Sequence, residues 1–117
     1  ENYLGILEIK DKAVITSGGY ERYFEENGKT YHHIIDAANG YPADSGFTSV
    51  TIICSDGTLA DGLSTSLFIM GLDKAAEYWD AHRDEFDMIL YTKDGGLYIT
   101  EGIEKDFTSD YQVKTIK

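Results

Sequence analysis

Short runs in which apolar and polar residues alternate predict that most of this chain forms β-strands. Such runs occupy residues 1–10, 13–16, 20–25, 30–35, 88–92 and 97–100. The run at residues 47–54 is almost continuously apolar or β-branched, which is typical of a central strand buried on both faces. Asn27 and Gly28 form the dipeptide that most favours a two-residue hairpin turn. An imperfect alternation after residue 110 predicts one further edge strand.

Two stretches change to helical periodicity. The first covers residues 60–71 and follows a turn at residues 55–58 that offers N-cap chemistry. The second runs from residue 74 to about residue 83. We therefore predict an α+β fold, a mainly antiparallel sheet with two helices packed on it, and a single domain over residues 1–117.

The first predicted helix carries two oxygen ligands on an otherwise apolar body. Asp61 and Thr65 are four residues apart, so both project from one face of the helix. A carboxylate and a hydroxyl in this arrangement suit a hard cation such as Mg²⁺. Leu63, Leu67 and Met70 fall on another face and are predicted to anchor the helix in a core. The alternative interpretation is a helix-dipole partner followed by an ordinary helical threonine.

Composition narrows the range of partners. The chain has 117 residues and a formal net charge of −11, which argues against nucleic acid or an anionic membrane surface. A phosphate-bearing ligand stays compatible if a divalent cation mediates its binding. Cys54 is the single cysteine, so an intramolecular disulfide and a thiolate metal cluster are excluded. No run is apolar for long enough to cross a bilayer, and the residue pattern predicts neither a signal peptide nor a transmembrane segment within these 117 residues.

Two further segments offer chemistry. On a strand the adjacent His32 and His33 point to opposite faces, so only one of them can serve a given pocket as general base. A histidine bonded to nearby backbone is the alternative, and zinc would need further ligands that His82 does not supply at a matching spacing. Residues 16–20 combine hydroxyls with two glycines and could cradle phosphate, or simply form a turn. The long loop at residues 36–46 has the length typical of functional loops.

These segments occur in an order that resembles a known family. Residues 13–52 (AVITSGGYERYFEENGKTYHHIIDAANGYPADSGFTSVTI) and residues 59–71 (LADGLSTSLFIMG) resemble three motifs of the ApbE family of FAD:protein FMN transferases. Those motifs are Thr-Ser-Gly-x-Tyr, His-Ile-Ile-Asp-Pro-x-x-Gly-x-Pro and Ala-Asp-Ala-Leu-Ser-Thr-Ala. The similarity extends over about residues 4–100.

The resemblance implies a role for each matching residue. Asp61 and Thr65 would ligate Mg²⁺ against the pyrophosphate of FAD, and His33 would be the catalytic histidine. Cofactor-binding roles would fall to the segments around it, namely Thr16, Ser17 and Gly18 at the flavin nucleotide and Asp36 and Gly40 in the adjoining loop.

The reaction implied by the resemblance transfers FMN from FAD to a threonine or serine hydroxyl of a partner flavoprotein and releases AMP. Two alternatives remain: a pyrophosphatase that converts FAD to FMN and AMP, and a non-catalytic module that binds flavin or another protein. Water as the acceptor distinguishes the first alternative. Flavin binding that is absent or independent of Mg²⁺ distinguishes the second.

The resemblance also carries expectations about context. Ala37 stands where the family has proline, which predicts a less rigid loop. Members of the family are expected to be roughly three times longer than this chain, because such enzymes are larger than a typical single domain. We therefore expect a C-terminal part of such an enzyme, which could form a homodimer through unsatisfied sheet edges. The parent protein is expected to be an extracytoplasmic lipoprotein, held at a membrane by an anchor upstream of this chain.

Overall fold

The computed structural model of the chain describes residues 2–36 and 46–117. Within these residues there are nine strands, two α-helices and one short 3-10 turn at Glu101–Ile103. The strands are β1 (Asn2–Glu8), β2 (Ala13–Ser17), β3 (Gly19–Glu26), β4 (Lys29–Asp36), β5 (Phe47–Cys54), β6 (Phe86–Thr92), β7 (Leu97–Thr100), β8 (Phe107–Thr108) and β9 (Val113–Ile116). The helices are α1 (Gly57–Met70) and α2 (Leu72–Ala81). The predicted α+β class is confirmed.

The strands form two sheets, a division that the sequence did not predict. One sheet has four strands in the order β3-β4-β1-β8, and the other has five in the order β2-β5-β6-β7-β9. All pairs are antiparallel except β7 with β9, which is parallel. The predicted edge strand after residue 110 is therefore β9.

The elements stack in three layers around two apolar clusters. The first cluster joins both helices to one face of the five-stranded sheet through residues such as Ile52, Leu67 and Trp79. The second cluster lies between the two sheets and includes Leu4 and Ile53. Helices, five-stranded sheet and four-stranded sheet thus follow one another in that order.

The hairpin predicted from Asn27 and Gly28 joins β3 to β4. Both residues have positive φ, 54° and 79°, as a two-residue primed turn requires. The turn fixes the register, in which Glu26 pairs with Lys29 and Tyr23 pairs with His32. Every second side chain of β4 consequently faces the five-stranded sheet.

Helix α1 begins at Gly57, three residues before the predicted start at residue 60, and its N-cap lies in the predicted turn. Asp56 caps it, accepting hydrogen bonds from the backbone N–H groups of Thr58 and Leu59 at 2.9 and 3.3 Å. Leu63 and Leu67 are buried as predicted, but Met70 is 37% exposed. The prediction for Met70 was wrong because the face that packs on the sheet is completed instead by Phe68.

No helix in the described part of the chain is long and apolar enough to span a membrane.

Candidate functional site

The candidate site lies where β2 passes from the five-stranded sheet into β3 of the four-stranded sheet. Gly18 makes this crossing with φ of 82°. A Cβ built on Gly18 would lie 2.2 Å from the carbonyl oxygen of Thr48 and 2.5 Å from the Phe68 ring. Only glycine therefore allows the backbone to pass so close to β5 and α1.

Helix α1 runs alongside β2 in the same direction. A Cβ on Gly57, at the start of the helix, would lie 3.7 Å from Ala13 at the start of β2. The start of α1 therefore lies beside the start of β2, and Phe68, near the end of α1, packs against Gly18, which follows the end of β2. The helix that carries Asp61 and Thr65 is therefore bound to the segment predicted to hold the nucleotide.

Hydrogen bonds join the two segments directly. The Ser17 hydroxyl donates to the Ser64 hydroxyl at 2.9 Å. Ser64 is 1% exposed, and its own hydroxyl donates to the carbonyl oxygen of Asp61 at 2.9 Å. The end of β2 is thereby linked through a buried side chain to the backbone of a predicted metal ligand.

Thr16 faces the other way. Its hydroxyl oxygen lies 2.9 Å from that of Thr51 on β5. Because side chains alternate along a strand, Thr16 shares the face of Val14, which packs between the two sheets. Of the three residues predicted at the nucleotide, Ser17 and Gly18 contact α1, whereas Thr16 contacts β5.

Asp61 and Thr65 are both exposed on α1, so a ligand can reach them. Carboxylate and hydroxyl oxygens are ligands that Mg²⁺ accepts, usually together with water and substrate phosphates. The chemistry of Asp61 and Thr65 fits Mg²⁺, for which these two side chains would supply part of the ligand set. In the part of the chain that the structure describes, no group of three or more histidine, cysteine, aspartate and glutamate side chains could hold a metal.

His33 lies apart from α1. Its imidazole contacts the rings of Tyr3 at 5.5 Å and Phe24 at 4.9 Å between centroids. Ile34, the next residue of β4, faces the five-stranded sheet, so His33 is on the outer face of the four-stranded sheet. The structure does not bring His33 next to Asp61 and Thr65, and its catalytic role stays a prediction.

His32 points inward, and its direction opposite to that of His33 is what the alternation along a strand predicted. Its Nδ1 lies 2.5 Å from Oε2 of Glu21, and only 9% of its side chain is exposed. Tyr23, its cross-strand neighbour, lies with its ring centroid 5.7 Å away. His32 thus contacts Glu21 and Tyr23 of the neighbouring strand β3, on the inner face of its own sheet.

The end of β4 reaches the candidate site through its backbone. Asp36, the last residue of the strand, pairs with Gly19 directly after the Gly18 crossing. His33 precedes Asp36 by three residues, about 10 Å along a strand. Gly40 lies outside the described residues, and so does Ala37.

A family model described as the ApbE family matches residues 1–90. The chain belongs to the ApbE family.

Individual proteins similar to this chain support the family assignment. The FAD:protein FMN transferase of Klebsiella pneumoniae is 39% identical over 113 residues, which are 94% of this chain and 35% of the relative. That of Treponema pallidum is 44% identical over 70 residues, 60% of this chain and 19% of the relative. The crystal structure of the ApbE protein from Thermotoga maritima has a TM-score of 0.57 at 40% identity and covers 86% of this chain.

The chain spans about a third of the length of the ApbE relatives that it matches. The shares are 35% for the Klebsiella protein and 32% for the Thermotoga structure. Most of the length of each of these two proteins therefore has no counterpart in this chain.

The sequence did not predict the contacts of Ser64 in the candidate site or of Glu21 beside His32. Ser64 falls four residues after Ala60 and four before Phe68, so its place on the buried face of α1 was readable from helical spacing. Glu21 was readable from the hairpin turn, because the register places it diagonally opposite His32. A polar side chain on a predicted buried face was the signal in the first case.

Proposed function

We propose that this chain is the catalytic C-terminal part of a Mg²⁺-dependent FAD:protein FMN transferase. The match to the ApbE family over residues 1–90 carries the proposal, because curated relatives bear that name. The packing of the Ser17 and Gly18 segment on α1 supports it, since a nucleotide held there would lie beside the helix of Asp61 and Thr65.

The proposed reaction is attack of a hydroxyl on a phosphoryl group. A new bond forms between the oxygen of an acceptor threonine or serine and the phosphorus of the FMN half of FAD. The bond between that phosphorus and the bridging oxygen breaks, and AMP leaves with the electron pair. The hydroxyl proton passes to a general base.

Asp61 and Thr65 would hold Mg²⁺, which neutralises the negative charge that develops on the phosphoryl oxygens when it is bound. Both side chains are exposed and lie one turn apart, so their oxygens can face the same ion. This arrangement also fits the net charge of −11, because the cation rather than the protein surface would attract the pyrophosphate.

His33 is the proposed base, and its support is the resemblance of residues 33–36 to the family motif. The role requires that the imidazole come within hydrogen-bond reach of the acceptor hydroxyl. His32 provides a matched control because it lies on the same strand, pairs with Glu21 and faces away from any ligand at His33. An extracytoplasmic location and a homodimer are further proposals that rest on the family and on open sheet edges.

A non-catalytic flavin-binding module is the second candidate. The small number of metal ligands favours it, because no group of three or more histidine, cysteine, aspartate and glutamate side chains in the described residues could hold a metal beside Asp61 and Thr65. FAD affinity measured with and without Mg²⁺ separates the candidates. The transferase site requires tighter FAD binding with the ion, whereas the module predicts no difference.

The test is intact-mass spectrometry of a threonine-bearing acceptor protein incubated with the chain, FAD and Mg²⁺. Transfer predicts a mass gain of one FMN that disappears when Mg²⁺ is chelated. His33→Ala and Asp61→Ala should abolish the mass gain. His32→Ala is the control, and its folded fraction should still transfer FMN. AMP release without acceptor would instead indicate the pyrophosphatase. If this chain produces no mass gain, the same assay is run on the longer parent protein. Absence of FMN transfer by the parent protein would overturn the proposal.

A further inference from the structure

Ser64 occupies a position where an apolar residue would be expected. It lies on the face of α1 that packs on the five-stranded sheet, between Ala60 and Phe68, and it is 1% exposed. A buried hydroxyl is costly unless its hydrogen bonds are made. Ser64 makes two, one to the carbonyl of Asp61 and one from Ser17.

The bond to Asp61 acts on the turn that bears the predicted metal ligands. In an α-helix the Asp61 carbonyl also accepts from the backbone N–H of Thr65, four residues later. Ser64 therefore bonds to the same carbonyl oxygen that accepts from the backbone N–H of Thr65. A hydroxyl that bonds back to the carbonyl three residues earlier also affects local helix geometry.

The bond from Ser17 fixes that turn against β2. The single proton of the Ser17 hydroxyl is used in this bond, so the hydroxyl can only accept further hydrogen bonds. A phosphate oxygen also only accepts, so the Ser17 side chain in this arrangement does not donate to a phosphate. The Ser17 side chain therefore affects the site through its hydrogen bond to Ser64 and not through a bond to the ligand.

We propose that Ser64 is a positioning residue for the Asp61 and Thr65 pair, with Ser17 as its partner. This inference rests on the proposed function, because it assumes that the pair binds Mg²⁺. The two hydroxyls set the register of α1 on β2 and thereby the position of the metal ligands relative to a nucleotide at the Gly18 crossing.

The test measures Mg²⁺ affinity by calorimetry in the presence of FAD, together with the free energy of unfolding without ligands. Ser64→Ala and Ser17→Ala should each weaken Mg²⁺ binding about tenfold, as loss of a group that orients a metal ligand does. Ser66→Ala, on the exposed side of the same helix, is the matched control and should leave the affinity unchanged. Ser17→Thr keeps the hydroxyl and should therefore bind Mg²⁺ with wild-type affinity.

The double variant Ser17→Ala with Ser64→Ala should lose no more affinity than Ser64→Ala alone, because both changes remove the same hydrogen bond. Wild-type Mg²⁺ affinity in Ser17→Ala and Ser64→Ala would overturn the positioning role, whatever their loss of stability. If Ser64→Ala does not fold, Ser17→Ala and Ser17→Thr decide the question. Absence of Mg²⁺ binding in the wild-type protein would overturn the metal pair of the proposed function and this inference with it.

Discussion

Glu21 Oε2 lies 2.5 Å from His32 Nδ1, and the pair sits on the inner face of the four-stranded sheet. The next residue, His33, lies on the opposite face between the rings of Tyr3 and Phe24. Two adjacent histidines therefore have different surroundings, one with a carboxylate partner and one with aromatic neighbours.

This difference predicts unequal effects on stability. His32→Ala should lower the free energy of unfolding by about 1–3 kcal/mol, because it leaves the carboxylate of Glu21 without its buried partner. His33→Ala removes only ring contacts and should cost at most about 1 kcal/mol. Chemical denaturation of both variants measures the two values. An equal or larger loss in His33→Ala would contradict the assignment of faces.

Gly18 and Gly28 offer a matched pair with nearly equal φ angles of 82° and 79°. A Cβ at Gly28 would meet nothing within 4 Å, so Gly28→Ala should cost only the backbone strain of about 1 kcal/mol. Gly18→Ala adds a clash with the Thr48 carbonyl and Phe68, and we expect a total loss above about 2 kcal/mol. Thermal unfolding of the two variants compares them. Similar melting temperatures would show that β2 does not cross so close to α1.

The effect of the α1 N-cap on stability can be separated from that of Asp61, the proposed metal ligand. Asp56→Ala removes the acceptor for two backbone N–H groups and should lower stability by about 1 kcal/mol. Asp61→Ala, five residues later on an exposed face, should change stability by less than about 0.5 kcal/mol when no Mg²⁺ is present. Denaturation in the presence of a chelator gives both numbers. A large loss in Asp61→Ala would mean that Asp61 is needed for folding.

Asp87 predicts a pH dependence of stability. Burial raises the pKa of its carboxyl above the ordinary value of 3.8, although hydrogen bonds from Thr100 and Gly102 and the charge of Lys12 oppose the rise. The folded state therefore holds this proton more tightly than the unfolded state. The resulting contribution to stability is complete below about pH 3.8 and is lost as the pH rises through the pKa of the folded state.

Asp87→Asn removes the titrating group and should remove this dependence. The free energy of unfolding of the wild-type protein, relative to that of Asp87→Asn, should fall as the pH rises from about 3.8. Urea denaturation at a series of pH values measures the difference. A constant difference, or one that grows with pH, would contradict a raised pKa at Asp87.

Much of the fold was readable from local patterns. Alternation and one continuous apolar run located every described strand except the short β8 (Phe107–Thr108), and Asn27 with Gly28 fixed a hairpin and its register. The division into two sheets was not readable, because alternation tells which residues share a face but not which layer covers that face. The parallel pairing of Leu97 with Val113 also escaped prediction, since it joins segments that no tight turn connects.

The candidate site was readable only in part. Helical spacing placed Asp61 and Thr65 on one face of α1, and the structure shows that both are exposed. Spacing within α1 could not tell that the neighbouring Ser64 would meet Ser17, because that contact depends on how α1 lies along β2. Nor could it tell that His33 would face away from α1, which follows from the stacking of the two sheets.

Strand β5 belongs to both apolar clusters, with Ile52 facing the helices and Ile53 facing the four-stranded sheet. Neither cluster can open without exposing a side chain of this strand to water. The helical layer and the four-stranded sheet both pack on β5, so loss of either layer exposes one of the two buried faces of this strand. The three layers should therefore melt together, as one cooperative unit rather than in stages.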